Sequence, residues 1–195
     1  GQILCQNGEA VEAYYFSTSA GVTSTDEIWG SDEAAPYLRS VPCKFDEEEP
    51  WSSWIVELPW KMLEDRIREK GEGTVLRSVT VTRRSESGAA TALEAVSDKD
   101  SCIIENEYEI RKFLAPVNCM ITEKDGTETA GGSLLPSAYF ELERTQNGNL
   151  QVRGKGYGHG VGMSQTGADK MAEQGYDYRE ILDYFFRNIT VENLG

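Results

Sequence analysis

The segment from Gly154 to Ala168 contains the residues whose types and spacing are best suited to chemistry. Six glycines fall within positions 154–167, and His159, the single histidine of the chain, lies among them. Alternating glycines cannot form an ordinary strand or helix, because each costs conformational entropy and packs no side chain. Glycines in such a pattern permit positive φ angles or allow the backbone to approach another group closely. Ser164 and Gln165 are expected at a helix start, where free N–H groups can hold an anion or a carbonyl oxygen.

Two nucleotide-binding interpretations of this glycine segment are disfavoured. Gly156-x-Gly158 matches part of a dinucleotide-binding fingerprint, but no βαβ unit with a ribose-binding acid follows. A phosphate-binding P-loop requires a Gly-Lys-Ser/Thr ending, which the segment lacks. The chemistry leaves two alternatives open: a substrate-cleft loop with an exposed histidine, or a structural glycine turn around a histidine with satisfied hydrogen bonds.

Residues 17–25 form a second candidate segment, rich in Ser and Thr. Its composition predicts a loop. Neither residues 17–23 of this loop nor residues 158–165 of the glycine segment have enough apolar content to form a core element, so we expect these two stretches to face each other across one polar cleft. His159 would then lie within about 10 Å of Ser17 or Ser19, and one sugar ring could bridge them with hydrogen bonds of roughly 3 Å. The glycines would let backbone donors approach the sugar.

The elements that must position these segments mix helices and strands without a regular βαβ rhythm. This pattern predicts an α+β fold. The predicted elements are a hairpin over 3–16 turning at Asn7-Gly8, strands near 75–83, 90–96, 137–144 and 150–153, and helices near 59–70, 106–114, 164–175 and 178–185. Tyr14, Tyr15 and Tyr157 are expected to be core aromatics rather than sugar-stacking residues.

Length and charge limit the classes of function. The 195 residues are 39% hydrophobic, which predicts one globular domain, or one domain with a large insertion. The formal net charge of −14 disfavours binding to nucleic acid or to anionic lipid. No apolar run approaches the roughly 20 residues of a membrane span. The polar Gly1-Gln2 start leads directly into a strand-like segment, so we expect no signal peptide and expect the sequence to be a fragment.

The cysteines and acidic residues do not form a recognisable metal motif. The four cysteines are at least 17 positions apart, and we expect them to be small, partly buried hydrophobic residues rather than disulfides, for which three pairings would be open. With one histidine, we expect no structural zinc and no cofactor. The acidic run over 46–49 is expected to be a solvated loop.

Several stretches of the sequence together resemble one known family. The most specific is Gly158-His159-Gly160-Val161-Gly162-Met163-Ser164-Gln165-x-Gly167-Ala168, followed by Met171-Ala172-x-x-Gly175-x-x-Tyr178-x-x-Ile181-Leu182-x-x-Phe185-Phe186. Further stretches are Tyr14-Tyr15-Phe16-Ser17-Thr18-Ser19-x-Gly21-x-Thr23, Trp29-Gly30 with Pro36-Tyr37-Leu38, Glu107-x-Glu109-Ile110-Arg111, and Leu134-Leu135-Pro136-Ser137. Together these stretches cover nearly the whole chain. They resemble the stage II sporulation protein D family, which includes the amidase enhancers.

The resemblance implies work on the bacterial cell wall. It implies a lytic transglycosylase, a lyase that cleaves peptidoglycan glycan strands stripped of stem peptides, at the engulfing septum of a sporulating cell. That chemistry needs one carboxylic acid to protonate the leaving oxygen, while the 6-hydroxyl of the sugar closes an anhydro ring. The catalytic glutamate of the family lies on a helix upstream of Gly1, so no glutamate here is assigned the role and this chain alone is expected to be inactive. Glu12 and Glu27 are interpreted as solvated.

The resemblance also implies an organisation and a set of contacts. We expect a partial sporulation protein D-like domain over 1–195, with an inserted strand-rich subdomain over about 50–136 and a C-terminal core with the glycine motif over 137–195. The alternative is a non-enzymatic wall-binding enhancer, for which a cell-wall amidase and septal sporulation proteins are the expected partners. We expect the chain to be soluble and the parent protein to be extracytoplasmic, either secreted or membrane-anchored. The expected substrate-binding residues are Ser17, Ser19, Thr23, Gly158, His159, Gly160, Gly162, Met163, Ser164 and Gln165.

Overall fold

Helices and strands are interspersed along the chain in the computed structural model, which describes residues 1–31 and 33–193. Within this described part, the α-helices are α1 (Trp60–Glu69), α2 (Glu107–Phe113), α3 (Gln165–Glu173) and α4 (Tyr178–Phe185). Short 3₁₀ helices cover Asp26–Trp29 and Pro50–Ser52. The absence of a regular strand–helix alternation in these ranges confirms the predicted α+β class.

The strands form small, mostly antiparallel sheets. They are β1 (Gln2–Gln6), β2 (Glu9–Ala10), β3 (Tyr15–Phe16), β4 (Trp54–Leu58), β5 (Leu76–Arg84), β6 (Ala90–Ser97), β7 (Ser101–Glu105), β8 (Met120–Glu123), β9 (Glu128–Ala130), β10 (Phe140–Arg144), β11 (Leu150–Gly154), β12 (Met163–Ser164) and β13 (Thr190–Asn193). The sheet orders are β13-β1-β2, β10-β11-β4-β8-β9, β12-β3 and β5-β6-β7. Only the β12-β3 pair is parallel among these described strands.

The larger hydrophobic core lies under the five-stranded sheet. Trp54, Val56 and Leu58 of the central strand β4 alternate inward, as expected for a strand with one buried face. Helix α1 adds Leu63 and Ile67 to this core, and α2 and the β5-β6-β7 sheet complete it. The cluster also includes Phe140, Leu150 and Val152, which lie C-terminal to the predicted inserted subdomain. The proposed division of the chain into subdomains stays a prediction.

A second core joins the N-terminal loops to the C-terminal helices. Loop residues and helix residues that are far apart in sequence pack together there: Ile28, Leu38, Val41, Cys43, Ala89, Ala138, Tyr139, Val161, Met171, Ile181, Phe185 and Phe186. Since both segments of the predicted cleft border this cluster, it is the packing that holds the candidate site together.

Local signals in the sequence explain most helix boundaries and one turn. Ser164 caps α3 by accepting a hydrogen bond from the Gly167 N–H, and Asp177 forms a complete capping box with Glu180 at α4. The predicted turn at Asn7-Gly8 is confirmed, because both residues have positive φ, 54° and 82°.

The predicted N-terminal hairpin is shorter than expected. Its second strand ends at Ala10, and Tyr15–Phe16 pairs instead with Met163–Ser164. Strands β4, β7, β8, β9, β12 and β13 were not predicted. The β13 strand is held by its long-range pairing with β1, which local pattern cannot reveal.

Two further expectations concern cysteines and membranes. All four cysteines are free thiols, and Cys5, Cys43 and Cys119 are buried, which confirms their role as small hydrophobic residues. In the ranges that the structure describes, no helix combines the length and the apolar character needed to cross a membrane.

The tight contact between Gly154 and Trp54 generates a prediction about stability. A Cβ atom at Gly154 would lie 2.0 Å from the Trp54 ring, and that ring is held in place because its Nε1 donates to the Gly156 carbonyl oxygen over 2.9 Å. Gly154→Ala is therefore expected to lower the free energy of unfolding by about 2 kcal/mol through overpacking. Urea denaturation measures the change. Gly132→Ala, where a Cβ meets no atom within 4 Å, is the matched control and should be nearly neutral.

Candidate functional site

The glycine segment and the hydroxyl-rich loop meet along their lengths. Strand β12 pairs in parallel with β3, which places Met163 opposite Tyr15. Thr18 and Tyr157 exchange two backbone hydrogen bonds of 3.1 and 2.8 Å. A Cβ atom at Gly158, next to His159, would lie 3.5 Å from the Ser17 nitrogen. The predicted proximity of the two segments is confirmed, but they are joined by direct hydrogen bonds rather than separated by a cleft: the Ser164 hydroxyl donates to the Ser17 carbonyl oxygen over 3.2 Å.

The glycines bring the segment close to the backbone of the protein itself. Gly156 and Gly162 have φ of 75° and 80°. Cβ atoms there would lie 2.8 Å from the Thr18 carbonyl oxygen and 2.2 Å from the Tyr14 carbonyl oxygen. The expectation that the glycines open the backbone to a sugar is therefore wrong at these positions, because the chain occupies that space.

The other two predicted glycines also pack against the protein. A Cβ atom at Gly158 would lie 2.7 Å from the Phe16 Cβ, and one at Gly160 would lie 3.0 Å from the Tyr139 ring. The Gly158 N–H donates to the Pro136 carbonyl oxygen, and Gly160 is buried. Both glycines fix the course of the loop and offer little surface to a ligand.

Asp46 is the hub that connects three stretches of chain beneath this junction. Its side chain is 1% exposed. Its carboxylate accepts hydrogen bonds from the Ser19 N–H over 2.8 Å, the Ser19 hydroxyl over 2.7 Å and the Ser164 hydroxyl over 2.6 Å. The Thr166 hydroxyl adds a bond of 3.3 Å. A buried carboxylate is tolerable only when donors replace its lost hydration, and these groups supply them.

The structure corrects the interpretation of the acidic run at its first residue. Glu47 and Glu48 are exposed, as a solvated loop requires, but Asp46 is buried. Its neighbour Cys43 is buried as well, and burial, reinforced by the negative charge of Asp46, raises the pKa of the Cys43 thiol to about 12. Cys43 is therefore a protonated thiol at neutral pH.

Most of the predicted hydroxyl ligands are used inside the protein. Ser19 and Ser164 serve Asp46, while Thr23 is buried and its hydroxyl accepts from the Val41 N–H over 2.9 Å. Ser17 is half-buried, and its carbonyl oxygen accepts from the Thr166 N–H over 3.0 Å. The first turn of α3 therefore does not aim free N–H groups into a cleft as expected, since Ser17 and Ser164 accept from it.

The accessible part of the site is an aromatic patch around His159, which we define as Tyr14, Trp29 and His159. The Tyr157 ring packs instead against the Trp51 ring, with 4.6 Å between the two centroids. The Trp29 ring lies 5.1 Å from the His159 ring and 5.0 Å from the Tyr14 ring, both edge to face. Trp29 is 36% exposed, Tyr157 42% and Tyr15 60%. The expectation that Tyr15 and Tyr157 are core aromatics is therefore wrong.

The remaining predicted contact residues lie at different depths. Met163 and Gly158 are half-buried, and Gln165 is exposed. Gln165 offers both an amide donor and a carbonyl acceptor to solvent. An accessible surface with aromatic faces and an amide suits neutral, hydrogen-bonding ligands such as sugars.

His159 is held in its neutral form. Its Nδ1 accepts from the Val161 N–H over 3.1 Å, which leaves the proton of the neutral ring on Nε2. Burial lowers the pKa of His159 below its usual 6.5, and the positive charge of Arg111 lowers it further. A hydrogen bond to the Tyr15 backbone opposes these two effects, because it favours the charged ring. Across residues 1–31 and 33–193, no group of three or more His, Cys, Asp or Glu side chains is arranged to hold a metal ion.

Sequence reasoning missed the two side chains that matter most for this geometry. Asp46 heads an acidic run, and nothing in that run distinguishes the buried carboxylate from its solvated neighbours. Trp29 follows a polar loop, and its place beside His159 depends on a contact across 130 positions. The available signal for Trp29 was the Trp29-Gly30 pair, since Gly30 has a φ of 96° and ends the 3₁₀ helix.

Comparison with known proteins finds several relatives. The family model described as a domain of unknown function (DUF8618) matches residues 39–162. Stage II sporulation protein D of Bacillus amyloliquefaciens is 30% identical over 191 residues, which cover 98% of this chain and 48% of that protein. The amidase enhancer of Bacillus subtilis (strain 168) is 22% identical over an alignment of 224 residues, and the alignment includes 98% of this chain and 31% of that protein.

A second stage II sporulation protein D, from Bacillus subtilis (strain 168), is 29% identical over 192 residues, again covering 98% of this chain and 48% of that protein. The chain thus spans about half the length of these two curated relatives, and less of the amidase enhancer.

The Asp46 hub generates the second prediction. Asp46→Ala leaves the buried Ser19 N–H without an acceptor and should lower the free energy of unfolding by about 3 kcal/mol. Asp46→Asn should cost less, because an amide oxygen still accepts and the Ser19 hydroxyl can turn to accept from the amide nitrogen. Guanidinium denaturation measures both changes. Glu47→Ala, which removes an exposed carboxylate from the same loop, is the control; an equal effect there would contradict the role of Asp46.

The third prediction concerns pH. Because the folded state lowers the pKa of His159, the unfolded state binds more protons between that pKa and about 6.5. Stability from this group is complete above about pH 6.5 and falls as the pH drops toward the folded pKa. A proton NMR titration of the single histidine should give a midpoint below 6.5. A midpoint above 6.5, or the same pH slope of stability in His159→Gln, would contradict this.

Proposed function

The chain belongs to the family described as a domain of unknown function (DUF8618), and we propose that it is a glycan-binding domain of a protein that remodels the bacterial cell wall. The names of its relatives, stage II sporulation protein D and amidase enhancer, support wall remodelling as the process. The proposed ligand is the glycan strand of peptidoglycan with its stem peptides removed. The proposed location is outside the cytoplasm.

The observation that carries this proposal is the exposure of Trp29 within the aromatic patch. Its ring is anchored edge-on by Tyr14 and His159, so its position is set before any ligand arrives. Apolar faces of sugar rings stack on such aromatics, while amides such as Gln165 bond hydroxyl and acetamido groups. The Asp46 hub connects the hydroxyl-rich loop to the start of α3, the helix that carries Gln165.

For the whole protein, we propose lytic transglycosylase activity. That reaction needs one carboxylic acid at the scissile bond. The buried Asp46 carboxylate already accepts hydrogen bonds from donors of the protein, and the Glu12 carboxylate accepts one from the Tyr14 hydroxyl. The acid would come from the part of the protein outside these 195 residues, since the chain spans about half of its sporulation protein D relatives.

A second candidate is a wall-binding enhancer of an amidase. The internal hydrogen bonds of Asp46 support the enhancer role as well as the enzyme role. An enhancer has to bind sugar but does not need a catalytic acid in its binding site. One relative is named amidase enhancer. On this alternative the domain would bring a partner amidase to the glycan strands.

The fourth prediction tests glycan binding. Trp29→Ala should weaken binding of the chain to chitin oligosaccharides by about tenfold, measured by calorimetry, because a preformed stacking surface is lost. Trp29→Phe should recover part of the affinity. Tyr178→Ala removes a 52% exposed aromatic from α4 and is the matched control. Equal binding by Trp29→Ala and the unaltered chain would overturn the proposal.

Enzyme and enhancer are separated by their products. The full-length protein incubated with stem-peptide-free glycan strands should release anhydro-sugar ends, detected by mass spectrometry, while the 195-residue chain should release none. Release by the 195-residue chain would show that one of its own carboxylates is the acid. If the full-length protein instead stimulates a wall amidase without forming anhydro ends, the enhancer role is the correct one.

A further inference from the structure

We propose that a basic hollow next to the glycine segment, formed by Arg84, Arg153 and Lys155, binds a carboxylate on a glycan strand. The proposal rests on the proposed function, because it assigns part of the same ligand to a second subsite. The muramic acid unit of a strand without stem peptides carries a free lactyl carboxylate. The hollow would therefore distinguish stripped strands from those whose carboxylates are joined to peptide.

The hollow has a volume of about 300 Å³. Arg84 is the last residue of β5, Arg153 lies on β11, and Lys155 follows that strand directly. Glu141 is the single acidic residue among the lining residues. Three cations against one carboxylate give a positive local charge on a chain whose net charge is −14, so this surface differs in sign from the molecule as a whole.

Arg84 is held rigidly in the wall of the hollow. Its guanidinium donates to the carbonyl oxygens of Phe140, over 2.8 Å, and Gly88, over 3.1 Å, and to the Glu141 carboxylate, over 2.9 Å. A fixed guanidinium loses little further entropy when it meets an anion.

Arg153 and Lys155 are less engaged. The Arg153 Nε is 3.9 Å from the nearest carboxylate oxygen of Glu143, and Lys155 takes part in none of the ion pairs between described residues. Both side chains are exposed at the rim. They are therefore available to move onto an incoming oxyanion.

Hydroxyl groups complete the donor set of the hollow. Ser87 lines it, with its hydroxyl 2.7 Å from the Ser24 hydroxyl and 3.2 Å from the Tyr139 hydroxyl. Hydroxyl protons rotate freely, so this chain can turn a donor toward an oxyanion without moving the backbone. Fixed guanidinium, mobile cations and hydroxyl donors are the groups that bind a carboxylate.

The hollow adjoins two further depressions on the same surface. Lys155 borders both depressions, one of about 370 Å³ shared with Ser19 and Gly21, the other of about 400 Å³ along β4 and β11. Tyr139, which lines the hollow, also lies against the glycine segment, because a Cβ atom at Gly160 would be 3.0 Å from its ring. A ligand that extends across several sugar units could therefore occupy the hollow and the adjoining depressions together, which is why a polymer rather than a small anion is assigned.

The test compares two glycans of similar length: neutral chitin oligosaccharides, and stem-peptide-free peptidoglycan strands with free lactyl carboxylates. The unaltered chain should bind the carboxylated strand more tightly, by about three- to tenfold. Lys155→Gln and Arg153→Gln should each reduce that preference without changing affinity for chitin. The preference should also vanish in about 1 M salt, where the Debye length is about 3 Å. Lys61→Gln makes the same charge change on α1 and is the control.

The outcomes separate this proposal from the proposed function. Binding of both glycans with equal affinity would overturn the carboxylate subsite and leave the glycan-binding domain intact. Binding of neither would overturn both. Competition by inorganic phosphate without any preference for the carboxylated strand would show a general anion site and overturn the assignment to glycan.

Discussion

The Asp46 carboxylate joins three segments that are otherwise far apart in sequence, and the candidate site depends on it. It is buried without a cationic partner among the described ion pairs, and its charge is balanced by donors from the hydroxyl loop and from the start of α3. Any one of these donors alone would leave the charge poorly solvated. Together they make the carboxylate, the loop and the helix interdependent, and they add to the packing of Ala20 and Val22 of the loop against the second hydrophobic core.

Close packing of backbone on backbone is the second requirement. The pairing of β12 with β3 and the bonds between Thr18 and Tyr157 bring main chains together with no room for side chains between them. Glycine at Gly156 and Gly162 meets that requirement and also supplies the positive φ angles. The first role of the glycine motif is therefore structural. Its consequence for the proposed function is indirect, because it fixes His159 beside the Trp29 ring.

Buried and exposed groups consequently have separate tasks. The hydroxyl groups that first suggest a sugar site lie mostly inside, where they solvate Asp46. The surface is left to aromatic rings, an amide and, nearby, a cluster of cations on a strongly acidic chain. A neutral sugar face and an acidic substituent are the two chemistries that such a surface can recognise at once, which is the basis of the proposed glycan specificity.

The sequence alone determined the helices, the Asn7-Gly8 turn, the α+β class and the meeting of the two polar segments, since caps, periodic apolar faces and glycine requirements are local properties. It also carried the family likeness in the motif around His159. Tertiary structure decided which polar residues are buried. Asp46 and Glu47 are adjacent acids with opposite environments, and Tyr15 is exposed where a core position was expected, because burial depends on contacts between segments more than a hundred positions apart.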